Sequence, residues 1–239
     1  MSKWYIDSGP DSDIVVSSRV RLARNFAAYP FPQRSTKEDQ ENVIIDTCNA
    51  LFSGRPDLKG RLTLVRINDL TPIQKQVLVE KHLVSKELAE SSLETCALIS
   101  DDEQISIMIN EEDHLRIQCL KAGMQLDSAF DLCNSLDDTI SDKIDYAFID
   151  KIGYLTSCPT NVGTAIRVSI MLHLPALTMT GYIRAFLESC GKLGLAVRGL
   201  YGENTEAYGN MFQLSNQITL GKSEKDIVES INSIGRQII

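Results

Sequence analysis

The chain lacks the marks of a secreted, membrane-spanning or metal-stapled protein. Its six cysteines (Cys48, Cys96, Cys119, Cys133, Cys158 and Cys190) form no Cys-x-x-Cys pair and no Cys/His cluster at zinc spacing. Nothing at the N-terminus resembles a signal peptide, so the thiols read as reduced and the setting as cytoplasmic. No apolar run approaches the ~18 residues that cross a bilayer. Gly and Pro together make up only 21 of 239 residues, and no segment is repeated or low in complexity, which sets aside disordered, collagen-like and solenoid classes. Positive charge is in deficit, with 24 Lys+Arg against 32 Asp+Glu and a net charge of −8. A general footprint for nucleic acid or an anionic membrane is therefore not expected, and any basic site has to be local. There is no P-loop and no G-x-G-x-x-G.

What is present suits an ordinary globular domain. The composition is 43% apolar and 23% charged, enough at this length to bury a core without disulfides or metals. The first thirty-odd residues read as loop around one short stretch, Asp13 to Arg24. Thr36 opens a helical pattern through Val43, Ile44, Thr47, Cys48 and Leu51 that stops near Gly54 and Pro56. Leu62 to Ile67 reads as a strand. Thr71-Pro72 then caps a helix running to about His82. Three strand-like runs follow, Thr95 to Ser100, Gln104 to Asn110 and His114 to Leu120. The tight Asp101-Asp102-Glu103 link predicts antiparallel pairing in an antiparallel or mixed sheet. Asp127 to Lys143 is helical. Ala165 to Leu174 alternates, with Ile166, Val168 and Ile170 on one side and Arg167, Ser169 and Met171 on the other. A helix over Gly181 to Cys190, strands over Gly194 to Leu200 and Phe212 to Leu220, and a helix capped by Ser223 complete the chain. The loop Tyr201 to Asn210 carries two glycines and two carboxylates, a composition that points to a functional segment.

The run Ser17 to Arg24 packs three of the twelve arginines into six positions. In an extended segment Arg19 and Arg21 share a face, and two guanidinium forks there suit phosphate oxygens. On its own such a cluster reads as solvated surface. It gains meaning because Arg116 and Arg167 each occupy a polar position in an alternating strand and Arg198 ends a third. Ion pairing with nearby acids accounts for any one of them; five on an acidic protein point to a polyphosphate. Asn110-Glu111-Glu112-Asp113-His114 sets three acids at a strand end, either a charged hairpin turn or a rigidly held general base. Cys158 precedes turn-forming residues, and a lone cysteine is more often a small buried hydrophobe than a reactive thiolate.

The block Cys158-Pro159-Thr160-Asn161-Val162-Gly163-Thr164 resembles the signature of the ATP:guanidino phosphotransferase (phosphagen kinase) family. Asn110 to Arg116, Ser18 to Arg21 and Arg198 to Ala207 resemble its other active-site blocks, in the same order. The resemblance implies an α+β fold, a large antiparallel sheet flanked by helices of the phosphagen kinase or glutamine synthetase-like kind. It implies one catalytic domain over 1–239. The family's small N-terminal domain, and the C-terminal helical domain of the branch that phosphorylates protein arginine, are expected to be absent. That branch is also similar in Tyr201, which stands where the small-substrate kinases carry a further arginine.

By the same resemblance, ATP is the phosphoryl donor and Mg²⁺ rides on its phosphates. Arg19, Arg21, Arg116, Arg167 and Arg198 would grip the phosphates, with Ser18, His82, Val168, Gly199 and Gly202 among the nucleotide-binding residues. Glu112 matches the carboxylate that binds and deprotonates the guanidinium. Glu206 aligns with the second carboxylate, and Glu203 is its rival three residues away. Cys158 would help to place the guanidinium. A guanidinium is protonated up to a pKa above ~12, so carboxylates must orient it before it can attack. The implied activity is transfer of the γ-phosphoryl group to arginine side chains of proteins in stress response and protein quality control. Partners implied are proteins with exposed arginine, a zinc-binding activator protein, a heat-shock repressor and an AAA+ unfoldase. A small-guanidine kinase and a silent nucleotide-binding module are the alternatives.

Overall fold

Residues 3–199 and 208–239 are described by the computed structural model. In chain order its elements are β1 (Val15–Arg24), α1 (Lys37–Gly54), β2 (Leu62–Arg66), α2 (Pro72–Glu80), α3 (Lys86–Glu90), β3 (Cys96–Ser100), β4 (Ile105–Ile109), β5 (Leu115–Ala122) and α4 (Leu126–Ser141). Then come β6 (Phe148–Ile149), β7 (Gly153–Tyr154), β8 (Ile166–His173), α5 (Pro175–Met179), α6 (Ile183–Lys192), β9 (Leu195–Gly199), β10 (Met211–Asn216) and α7 (Glu224–Ile238). Eight strands form one sheet in the order β2-β3-β4-β5-β1-β8-β10-β9. Every neighbouring pair is antiparallel, which resolves the choice between antiparallel and mixed.

The two-residue period of the strands divides the sheet into unlike faces. Val20 and Leu22 of β1, Ile117 and Cys119 of β5, Ile166, Val168 and Ile170 of β8 and Leu214 of β10 are buried on one face. Helices α1, α4 and α7 pack onto that face through residues such as Val43, Leu51, Leu136, Ile140 and Ile231. A smaller apolar cluster of Trp4, Leu83, Val84, Leu88, Met108 and Leu120 covers the other face toward β3 and β4. The polar side of β5, β1 and β8 lies beside that cover.

Helix starts follow the local chemistry read from sequence. Thr36 with Asp39, Thr71 with Gln74 and Ser223 with Asp226 each form a reciprocal capping box, satisfying donors that have no partner inside the helix. Other expectations need correction. The stretch expected within a loop-like N-terminus is the ten-residue strand β1, paired on both sides by β5 and β8. Helix α2 ends at Glu80, and His82 adopts φ 56°, so it stands in a turn that no helix continues through. Strand β10 stops at Asn216 rather than Leu220, because the Asn216 side chain turns back to bond the backbone of Ile166, Val168 and Ile218. The short helices α3 and α5 and the β6–β7 hairpin are too brief to leave a periodic signal.

Arg24 separates from its neighbours for the same periodic reason. It lies on the even-numbered, core-facing side of β1 and is fully buried. Its Nε and Nη2 donate to Asp137 Oδ2 of α4 at 3.0 and 2.7 Å, and Nη2 also donates to Glu224 Oε1 of α7 at 3.1 Å. The guanidinium carbon lies 3.5 Å from the centroid of the Tyr154 ring. Burial works against the charge, but Asp137, Tyr154 and Glu224 more than offset it and raise the pKa. Arg24 is thus an internal tie between strand and helices.

Candidate active site

The arginines singled out by alternation converge on the open face. Arg21 lies directly opposite Arg167 across β1 and β8 and opposite Gln118 across β1 and β5. Arg19 pairs with Ser169 and Leu120, and Arg116 with Ala23. Arg198 of β9 lies opposite Gln213, which in turn lies opposite Met171. In an antiparallel ladder, partners project to the same side. The register therefore places Arg19, Arg21, Arg116, Arg167 and Arg198 on one face.

The surroundings of Arg19, Arg21 and Arg116 differ. Arg19 contacts neutral groups, Ser169 Oγ at 3.4 Å and Gln213 Oε1 at 2.9 Å. Burial, then repulsion from Arg116 and Arg167, pushes its pKa down to about 10. Arg21 is lowered well below the ordinary value by burial and then by Arg19, Arg116 and Arg167, and its Nε is buried with no hydrogen-bond partner. Arg116 has acidic partners: Nη1 donates to Glu111 Oε1 at 2.6 Å and Nη2 reaches Glu112 Oε2 at 3.4 Å. Burial and mutual repulsion thus lower the pKa of both Arg19 and Arg21.

The acids arrive on the turn between β4 and β5. Asn110, at φ 60°, starts that turn, and its Nδ2 is held by the carbonyls of Gln40 and Glu94, each at 2.9 Å. Glu111 is buried and accepts from Ser85 Oγ as well as from Arg116. Glu112 stays accessible, with 39% of its side chain exposed. Burial raises its pKa; Arg116 opposes the shift, while Asp113, Glu111 and Glu87 add to it. A carboxylate moved upward is a better proton acceptor than an ordinary one.

Cys158 begins a short turn, Pro159–Asn161, with Sγ 3.0 Å from Thr160 Oγ1. A cavity of about 250 Å³ is lined by Arg21, Arg116, Arg167, Arg198, Glu112 and Cys158 together. Gly163, at φ 112°, permits the return of this loop: a Cβ there would stand 2.4 Å from the Thr219 carbonyl oxygen. An adjoining cavity of about 290 Å³ is bordered by Arg19, His82, Met108, Gln118 and Gln213. His82 is held neutral there, its pKa pushed down to about 4 by burial and then by Arg19 and Arg21. A larger cavity, about 800 Å³ between Tyr29, Asp46 and Lys143, contains none of these arginines.

Two of the expected nucleotide-binding residues turn their side chains away from the arginine face, as the strand period dictates. Ser18 points to the core face, where its hydroxyl donates to the Gly123 carbonyl at 2.8 Å and accepts from Gln125 N at 2.9 Å. Val168 is fully buried on the same side. Gly199 closes β9 opposite Phe212. Gly202, Glu203 and Glu206 lie outside the described residues. Gln118, Ser169 and Gln213, not assigned from sequence, share the arginine face. Their signal was alternation, since each falls at a polar position of its strand.

A cationic face for a polyanion, with a raised carboxylate and a thiol at its edge, has the layout of a phosphotransferase site for a basic acceptor. The chain belongs to the ATP:guanido phosphotransferase family, whose C-terminal catalytic domain it matches over residues 43–239. It is 52% identical to the protein-arginine kinase of Bacillus subtilis (strain 168) over 239 residues, all of this chain and 66% of that protein. The chain thus spans just under two thirds of that relative's length. Among solved structures it resembles the duplicated taurocyamine kinase from Schistosoma mansoni with bound transition state analog components, with a TM-score of 0.82 at 28% identity over 97% of this chain and 34% of that one. The crystal structure of lombricine kinase shares the fold, with a TM-score of 0.82 at 23% identity over 95% of this chain and 66% of that one.

Proposed function

We propose that this protein transfers the γ-phosphoryl group of ATP to arginine side chains of proteins, giving ADP and N-phosphoarginine. The observation that carries the reading is the shared cavity of Arg21, Arg116, Arg167 and Arg198 with Glu112 and Cys158. The 52% identity to protein-arginine kinase along the whole chain supports this acceptor class. Arg19, Arg21, Arg116, Arg167 and Arg198 bind the triphosphate and spread the charge of the moving phosphoryl group. Such electrostatic donors are each worth roughly 3–4 kcal/mol in the transition state. Glu112 accepts a guanidinium proton as the nitrogen attacks, and Glu206, or Glu203 beside it, acts as the second carboxylate. Cys158 orients the guanidinium, and His82, Gly199 and Gly202 border the nucleotide.

The arginine face, with Arg21, Arg116, Arg167 and Arg198 around one cavity, suits a nucleotide that brings Mg²⁺ on its own phosphate oxygens. Bound there, the ion would neutralise phosphate charge. The resemblance also supports a cytoplasmic stress-response setting, with a zinc-binding activator protein, a heat-shock repressor and an AAA+ unfoldase as partners. No helix among the described residues is long and apolar enough to cross a membrane.

The test is incubation with Mg-ATP and an unfolded, arginine-bearing protein, followed by mass spectrometry. Acid-labile phosphoarginine on the protein is the expected product. Phosphorylation of free arginine alone would replace this reading with a small-guanidine kinase.

A further inference from the structure

Glu112 and Cys158 stand 46 positions apart in sequence, on two separate turns, yet they border one cavity. Their side chains do little to fix each other. The Glu112 carboxylate is 39% exposed and its contact to Arg116 is long at 3.4 Å. The control lies in the backbone beside them. Ser157 Oγ donates to the Glu112 carbonyl oxygen at 2.7 Å, and Ser157 N donates to Asp113 Oδ1 at 2.7 Å. Each turn is therefore held by the residue next to the other turn's reactive group.

Two further side chains brace this junction. Gln33 Nε2 donates to the same Glu112 carbonyl at 2.7 Å, filling its second lone pair. Asn25 is buried directly after β1. Its Nδ2 donates to Asp113 Oδ1 at 2.6 Å and to the Leu155 carbonyl at 3.1 Å, while its Oδ1 accepts from His114 N at 2.9 Å. The acid's turn and the thiol's turn are thus tied both to each other and to the central strand. None of these bonds uses the Glu112 carboxylate or the Cys158 sulfur.

We propose that Ser157 is a positioning residue, clasping the Glu112 turn to the Cys158 turn so that carboxylate and thiol meet one guanidinium in fixed register. This inference rests on the proposed function above. The hydroxyl sets the separation of the two turns, because its acceptor is the backbone of the very residue that takes the proton. Ser157→Ala removes that bond while leaving the backbone N–H on Asp113. Misplacement of a reacting group by about 1 Å costs about 100-fold in rate, so partial release of one turn should lower kcat by about 10-fold or more.

The experiment compares wild type, Ser157→Ala and Ser157→Thr for kcat on an arginine-bearing protein, for the Kd of Mg-ADP, and for alkylation of Cys158 by iodoacetamide, followed by peptide mass spectrometry. The alanine variant should lose turnover, keep the Mg-ADP Kd within about two-fold and alkylate several-fold faster as the loop opens more often. Threonine, which restores the hydroxyl, should return both turnover and alkylation toward wild type. Wild-type kcat and alkylation in Ser157→Ala overturn the proposal, as does a loss of kcat matched by an equal loss of Mg-ADP affinity. Should Ser157→Ala fail to fold, Gln33→Ala removes the other donor to the same carbonyl from an exposed position and must shift kcat and alkylation in the same direction. If the wild type phosphorylates no guanidino group, the proposed function falls and alkylation alone decides the clasp, an unchanged rate refuting it.

Discussion

Replacing Arg19 by methionine should make the nucleotide-free protein more stable while removing much of its response to nucleotide. The Arg19 pKa is pushed down to about 10 from an ordinary 12.5, first by burial and then by Arg116 and Arg167. Taken at full weight that shift corresponds to a penalty of about 3 kcal/mol for holding the charge in the folded state. Arg19 is only partly buried by surface area, so solvent screening reduces this to about 2 kcal/mol. Methionine retains the stem but gives up the 2.9 Å bond to Gln213, a loss of about 1 kcal/mol. The net gain of about 1 kcal/mol predicts a Tm higher by about 2–4 °C for a chain of this length. Thermal unfolding with and without Mg-ADP is the assay. At a hundredfold excess over Kd the wild type should gain about 2.7 kcal/mol from the ligand, and the variant far less. A Tm that falls, together with an undiminished shift by Mg-ADP, would refute the idea that this face is stressed in order to receive an anion.

Glu112→Gln should lower kcat by about 100-fold or more while leaving Mg-ADP affinity near wild type, because the amide cannot accept a proton. In the wild type, activity should be lost as pH falls through a value above the usual glutamate range, since burial raises the Glu112 pKa; a pH–rate profile checks this. Arg24→Met leaves Asp137 buried beside Glu224 without its cation, and removing one member of a buried pair typically costs about 3–5 kcal/mol. Denaturant unfolding should show that loss.

The limits of sequence reading are visible in particular residues. Alternation in Ala165 to Leu174 puts Arg167 and Ser169 on one side, and they do share a face because a strand's period of two is local geometry. The same rule, applied to β1, separates Arg19 and Arg21 from Ser18 and Arg24. Ser18 was nevertheless expected at the nucleotide because it sits inside a motif. Its hydroxyl instead serves the backbone of Gly123 and Gln125. Local pattern places His82 only at the end of a helix, and resemblance alone marks it as nucleotide-binding; its position beside Arg19 and Gln118 depends on a left-handed turn and on packing near Trp4. Asp113 and Ser157 carried no signal of partnership, since hydrogen bonds across 44 positions obey no period.

The sequence by itself determined which residues could bear charge on a strand face, where helices begin, and which family the blocks resemble. Each of these depends on neighbours within a few positions or on the order of short motifs. Only the tertiary structure decided that β1 lies between β5 and β8, and hence that Arg21 stands between Gln118 and Arg167. Strand order brings together residues about a hundred positions apart, and no local propensity encodes it. The cationic face of an acidic protein follows from that order, as does the clasp that holds a carboxylate and a thiol at its edge.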